Sequence, residues 1–281
     1  MLSKEPEIEV TPVAGALGAE ISGIDLSHDL DDNTVAQIRQ ALLEYLVIFF
    51  RDQDITPEQH LAFAERFGTP VAYPLVKGLE GFPEIIPVLK LEHETVNFGG
   101  LWHSDTTYKE CPPLGSILLA RELPPYGGDT LFANMYKAYE GLSDGMKEVL
   151  SGLKAINSSE NPVAKSTRQA RLDDSGKMPA ETVLEAIHPV VRTHPETGRK
   201  ALFINPGHTV RFEGMTEAES TPILDFLYQE QIKPEYTCRF VWRPGSIAFW
   251  DNRSSQHNPI NDYHGYKRLL HRITLEGDRP F

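Results

Sequence analysis

The sequence predicts a mainly β fold with flanking helices, of the sandwich or jelly-roll kind. Three observations carry this. Short apolar stretches bounded by Gly, Pro, Asn or Asp recur along the chain, as strands joined by turns do. Helical patterns are few and gathered in a few places, so helices decorate the strands rather than alternate with them. No Pro- or Ser-rich linker divides the 281 residues, so residues 1–281 read as one domain with inserts.

The elements follow in order. Residues 8–24 alternate apolar and polar around Gly15, Gly18 and Gly23, giving two short strands and a turn. Asp31-Asp32-Asn33 opens a helix through Val35, Ile38, Leu42 and Leu43, because acidic groups suit a helix N-terminus. Tyr45–Phe50 is a buried strand. Thr56-Pro57-Glu58-Gln59 starts a second helix, which ends at Phe67-Gly68. Ile85–Leu91 is a strand, and the polar stretch Glu92–Gly100 is a mobile loop. Leu114–Ala120 and Thr130–Phe132 are strands joined through a Pro- and Gly-rich turn. Two helices are expected near Met135–Leu142 and Ser143–Leu153. Residues 157–185 are weakly patterned and polar, which predicts a surface excursion or lid. Strands at His188–Thr193 and Ala201–Ile204 come next. Thr216 and Glu219 form a capping box for a helix to about Glu230. Cys238–Trp242 and Ser246–Trp250 flank Arg243-Pro244-Gly245 as a hairpin, and Arg268–Leu275 is the last strand.

Charge and composition exclude several classes of function. A net charge of -13 disfavours nucleic acid and anionic membranes as partners. A local pair of arginines can still outweigh that distant field for a small anion. The start of the chain lacks an apolar core for a signal peptide, and Tyr45–Phe50 is far too short to span a bilayer. Two cysteines, Cys111 and Cys238, make no metal-spaced pair, which fits a reducing cytoplasm.

The chemistry begins at Trp102-His103-Ser104-Asp105. On strand-like backbone, positions i and i+2 project to one side, so His103 and Asp105 can converge on one point. Together they offer two-thirds of the facial triad of two His and one carboxylate that leaves positions open on non-haem Fe(II). A pair this short arises often by chance, so it needs a third ligand. His257 stands out among the ten histidines because an apolar strand ending at Trp250 delivers it to a loop mouth. His208, after Asn205-Pro206-Gly207, is placed near a pocket. Arg268 and Arg272 lie roughly 13 Å apart on one strand face. They either face solvent on an edge strand or point inward to meet anions.

Taken together, Trp102-His103-Ser104-Asp105, Gly127-Gly128-Asp129-Thr130, Trp250 through His257, and Arg268 with Arg272 resemble the taurine dioxygenase/TfdA family of Fe(II)- and 2-oxoglutarate-dependent dioxygenases. The resemblance runs nearly end to end, including Val13–Gly23 and His188–Pro195. It implies a double-stranded β-helix, or jelly-roll, core of the cupin-like kind. It implies His103, Asp105 and His257 as iron ligands, and Thr130 with Arg268 on the distal carboxylate of 2-oxoglutarate. Arg272 is implied for the anionic group of the substrate, and it also touches the cosubstrate. Fe(2+), 2-oxoglutarate and O2 are the implied working set, with succinate and CO2 as coproducts of a hydroxylation. A homo-oligomer, dimer or tetramer, is expected by resemblance.

The substrate pocket departs from the taurine enzyme. That enzyme has a His and an Asn where this chain has Tyr73 and Gly99, and a Tyr where it has Val76. It has Val and Phe where this chain has Thr106 and Tyr108, and Ser and Phe at Pro162 and Val163. With Phe203, these positions form the expected substrate wall. Arg272 is kept while the groups that read an amine are not. A small anionic organic substrate is therefore expected: a sulfonate, a sulfate ester or an aryloxyalkanoate, whose hydroxylated product cleaves. Taurine itself, a non-redox zinc enzyme on the same ligands and a non-catalytic binding protein are the alternatives.

Overall fold

In the computed structural model, residues 8–72, 77–97, 99–162, 165 and 183–281 are described. The first strands are β1 (Glu9–Pro12), β2 (Ala19–Ser22), β3 (Val47–Phe50), β4 (Pro70–Val71), β5 (Ile85–Lys90), β6 (Gly115–Glu122), β7 (Thr130–Asn134) and β8 (Lys154–Ser158). They continue as β9 (Glu185–Pro189), β10 (Val191–Thr193), β11 (Lys200–Leu202), β12 (Thr209–Phe212), β13 (Thr237–Phe240), β14 (Ile247–Asp251), β15 (Ser255–Pro259) and β16 (Arg268–Leu275). The helices are α1 (Asp32–Tyr45), α2 (Pro57–Glu65), α3 (Met135–Glu140), α4 (Asp144–Leu150) and α5 (Glu217–Gln231).

Local chemistry sets these boundaries. Asp31 caps α1 by accepting from the Thr34 amide, and Thr56 and Thr216 cap α2 and α5 with reciprocal bonds to Gln59 and Glu219. Thr56 and Thr216 were legible as caps in the sequence.

One large sheet runs β1-β2-β3-β14-β6-β16-β4, with β5 also pairing along β16. Its middle strands are apolar on both faces because both faces are covered. On one face Ile48, Phe50, Ile117, Leu119, Ile247, Phe249 and Ile273 pack against Ile38 and Leu42 of α1 and Phe63 of α2. On the other face Phe49, Leu118, Trp250 and Leu270 meet Phe132 and Phe240 of a smaller sheet, β13-β7-β15. Phe49 stacks on Phe240 with centroids 3.9 Å apart and meets Phe132 edge-on at 5.8 Å. Two sheets facing across an apolar core give the expected jelly-roll arrangement.

Three expectations differ from the structure. The strands around Arg243-Pro244-Gly245 are not a hairpin: β13 pairs with β7, whereas β14 pairs with β3 and β6. The turn carries the chain from one sheet to the other. The segment expected as an excursion from residue 157 starts inside β8, where Asn157, Ser158 and Ser159 are buried; residues 166–182 lie outside the described residues. The loop before His103 is pinned: Asn97 is buried, accepts from the Tyr263 hydroxyl at 2.7 Å, and Asn261 donates to the Thr95 carbonyl. Among the described residues no helix is long and apolar enough to cross a membrane.

His60 on α2 shows how tightly the helical side is closed. It is fully buried and neither ring nitrogen makes a hydrogen bond. Burial, with Arg121 and His271 nearby, pushes its pKa down to about 3. In an unfolded chain the imidazole titrates near 6.5. The folded state therefore has its full contribution above about pH 6.5 and loses it as pH falls toward 3. Thermal midpoints measured between pH 7.5 and 5 should drop more steeply in the native sequence than in His60→Leu; equal slopes would refute this.

Candidate active site

His103 and His257 line one wall of a cavity, and Asp105 lies against them just behind that wall. Backbone pairing brings them together. His103 and His257 form an antiparallel bridge, each amide donating to the other's carbonyl at 3.0 and 2.9 Å. Their rings lie 4.2 Å apart. One donor atom from each of the three residues can be chosen so that all lie within 4.8 Å of one another. Both Nε2 atoms face Asp105 Oδ1, at 3.7 Å from His103 and 3.9 Å from His257.

The surroundings orient each donor. His103 Nδ1–H donates to the Leu101 carbonyl at 2.8 Å, which leaves the lone pair on Nε2. His257 Nδ1 makes no hydrogen bond; the Trp250 ring, 4.7 Å away, sets its plane instead. The main chain of Asp105 is clamped by the Asn252 side chain, which accepts from the Asp105 amide at 2.6 Å and donates to its carbonyl at 3.2 Å. Asp105 Oδ2 is held by Arg272 Nη2 at 2.7 Å and by Ser116 Oγ at 3.2 Å, so Oδ1 is the oxygen left for a metal.

Charge agrees with geometry. Burial pushes the pKa of both His103 and His257 down, so both imidazoles are neutral near pH 7. Burial pushes the Asp105 carboxyl up, but the Arg272 guanidinium bonded to it is the largest opposing influence, and the carboxyl stays below the usual carboxylate range. Neutral imidazoles beside an ionised carboxylate are the protonation state that a divalent metal requires. Two nitrogens and one oxygen on one side, with the cavity on the other, fit Fe(II) with open positions.

Further along the cavity lie Thr130 and Arg268. Arg268 is 5% exposed, and its Nε and Nη2 are buried without a hydrogen bond. The Gly127-Gly128 turn makes room for it: a Cβ on Gly128 would stand 3.1 Å from Arg268 Nε, and the backbone there has φ +70°. The Thr130 hydroxyl accepts from the Trp242 indole at 3.0 Å, so its own hydrogen is free to donate elsewhere. Two unused guanidinium donors beside a hydroxyl donor fit a carboxylate. The alternative that Arg268 and Arg272 face solvent is overturned, because β16 lies inside the sheet and both side chains are buried.

A profile described as "Taurine catabolism dioxygenase TauD, TfdA family" matches residues 9–274. The chain belongs to this family. It is a 2-oxoglutarate-dependent dioxygenase, working with Fe(II), 2-oxoglutarate and O2. It is 38% identical over 282 residues to an alkylsulfatase of Acinetobacter baylyi, covering 97% of this chain and 86% of that protein. It is 38% identical over 279 residues to an alpha-ketoglutarate-dependent sulfate ester dioxygenase of Pseudomonas putida, covering 98% and 91%. A crystal structure of a putative alpha-ketoglutarate-dependent taurine dioxygenase from Burkholderia xenovorans superposes with a TM-score of 0.84 at 38% identity, covering 98% of this chain and 94% of that one.

In this TauD/TfdA dioxygenase the expected substrate positions divide. Gly99 abuts the His103 ring: a Cβ there would come within 2.8 Å of Cε1. Thr106 takes the left-handed φ of 42°, and its buried hydroxyl makes no hydrogen bond. Tyr108 meets the His208 ring edge-on at 4.9 Å, and His208 meets His103 at 6.1 Å, so His208 does lie beside the site. Phe203 is buried against His188 and Arg192, outside the cavity lining. Tyr73, Val76 and Val163 lie outside the described residues, and Pro162 is exposed. Sequence reasoning missed Ser116, Asn252 and Trp242. Ser116 sits within an apolar strand, where a lone serine reads as filler; Asn252 belonged to the quoted Trp250–His257 motif, and that was its only signal.

Proposed function

We propose that this enzyme oxidises alkyl sulfate esters in the cytoplasm, with Fe(II) on His103, Asp105 and His257 and the distal carboxylate of 2-oxoglutarate on Arg268 and Thr130. The observation that carries the reading is the cavity itself: a converged His-Asp-His donor set at one wall and an arginine with two unused buried donors beyond it. Support for sulfate esters over sulfonates and aryloxyalkanoates comes from two relatives, one named an alkylsulfatase and the other a sulfate ester dioxygenase.

When bound, Fe(II) with 2-oxoglutarate and O2 supplies the oxidant: one oxygen atom goes to succinate as CO2 leaves, and the other goes to a substrate carbon. The protein's residues hold and orient. Arg272 and Ser116 keep Asp105 Oδ2 engaged, so Oδ1 is the oxygen that would hold the metal. Arg268 and Thr130 would hold the far end of the cosubstrate, away from the triad, and so supply its binding energy there. Leu118, Phe132 and Trp250 line the cavity with apolar surface that excludes water. Arg272, which lines the cavity beside Asp105, is the cation nearest the triad for the substrate's anionic head. Hydroxylation of the carbon bearing the ester oxygen gives a product that collapses to an aldehyde and hydrogen sulfate.

The test is a substrate panel with Fe(II), 2-oxoglutarate and air. A medium-chain alkyl sulfate should release succinate and sulfate one to one and faster than taurine, an alkylsulfonate or an aryloxypropionate. Faster turnover of taurine would replace the substrate proposed, and sulfate release with Zn(II) in the absence of O2 would replace the reaction.

A further inference from the structure

The cavity contains a cation that the reading above does not use. Lys90 ends β5, is 2% exposed, and lines the same cavity as Arg268 and Thr130. Lysine is seldom buried to this degree. Its position follows from strand register. β5 runs antiparallel to β16, and Lys90 stands directly opposite Arg268. Opposed residues on neighbouring strands project to one face, so both side chains enter the cavity from the same side. Both heads gather at one ring: Lys90 Nζ lies 4.5 Å and Arg268 Cζ 5.9 Å from the centre of Tyr263.

Charge balance points to what belongs between them. Among the described residues the cavity lining includes Lys90, Arg268 and Arg272 and no carboxylate. Arg272 is offset by Asp105 at 2.7 Å. Asp129, the carboxylate whose charge favours Arg268, is itself paired with Arg239 at 2.6 Å. At the end of the cavity away from the triad, Lys90 and Arg268 thus stand side by side in a low-dielectric enclosure. An anion placed there gains from both.

We propose that Lys90 is a second cationic anchor for the distal carboxylate of 2-oxoglutarate, shared with Arg268, and that it sets a preference for dicarboxylate over monocarboxylate 2-oxo acids. The inference rests on assigning that carboxylate to Arg268. A single arginine fixes the direction of a carboxylate through its planar fork; an added ammonium contributes charge without a demand on angle. The loss of Lys90 should therefore weaken binding in proportion to the charge on the far end of the ligand and leave the 2-oxo acid end alone.

The experiment is calorimetric binding to the Mn(II)-loaded protein without O2, using 2-oxoglutarate and 2-oxopentanoate, which has the same chain length and lacks the distal carboxylate. In Lys90→Met the affinity for 2-oxoglutarate should fall by about ten- to a hundredfold. The affinity for 2-oxopentanoate should stay within a factor of about two. Lys90→Arg should restore most of the difference. Equal weakening of both acids, or of neither, overturns the proposal. Arg268→Met serves as the control for the assignment beneath it: if that variant keeps its affinity for 2-oxoglutarate, the cosubstrate does not lie at this end. If Arg268→Met weakens binding and Lys90→Met does not, only the role of Lys90 falls. Should Lys90→Met fail to fold, Lys90→Gln provides the same comparison.

Discussion

Turnover of 2-oxoglutarate is expected to fall by more than about a thousandfold in both His257→Ala and Asp105→Ala, a loss of over about 4 kcal/mol of barrier lowering. Each change removes one donor from a set of three, and the metal is then held by two groups on an open wall. The two variants should nevertheless differ in stability. His257 contributes its backbone to the bridge with His103, and alanine keeps those amide bonds. The side chain of Asp105 neutralises Arg272, which is 5% exposed and bonded to Asp105 Oδ2. Removing one partner of a buried ion pair costs roughly 3–5 kcal/mol because the other charge is left uncompensated. In metal-free protein, Asp105→Ala should therefore melt well below the native sequence, and His257→Ala close to it. Metal content, succinate release and thermal midpoints separate these effects. Retained Fe(II)-dependent succinate release by either variant would remove that residue from the metal site.

Arg268→Met should raise KM for 2-oxoglutarate by about a hundredfold, the cost of a charge-assisted bidentate contact near 2–3 kcal/mol. The side chain keeps much of its apolar stem, so packing against Trp242 and Tyr263 is largely retained. The turnover number at saturating cosubstrate should change much less, because the oxo acid end is set by the metal rather than by the arginine. A fall in the turnover number with unchanged KM would mean that Arg268 acts on the chemistry and not on the cosubstrate's distal end. Thr130→Val offers a smaller version of the same test, because it removes one hydroxyl and keeps the shape.

Much of the frame was legible because short-range rules govern it. Caps at Thr56 and Thr216, the apolar run of β3 and the two-residue spacing of His103 and Asp105 are all local. The partnership of His103 with His257 is not, since those residues lie more than half the chain apart and only strand pairing joins them. The same limit explains the misread hairpin. Arg243-Pro244-Gly245 specifies a bend in the chain, but nothing within it states whether the strands on either side share a sheet. Lys90 escaped notice for a related reason: a lysine closing a strand reads as a solvent group until the register with β16 turns it inward. Arg272 could be read as either solvent-facing or inward until β16 proved to be an interior strand.

The reciprocal amide bonds between His103 and His257 have a consequence for order of assembly. A partly folded chain cannot present both imidazoles, so a metal ion has no complete set of donors to capture early. In small zinc-folded domains the ion seeds the fold. Here the bonds that join the two histidines are backbone bonds that need no ion, so the folded chain should keep its donor set when empty. Treatment with a chelator should leave the circular dichroism spectrum unchanged, and added Fe(II) should then restore activity; unfolding on chelation would refute this.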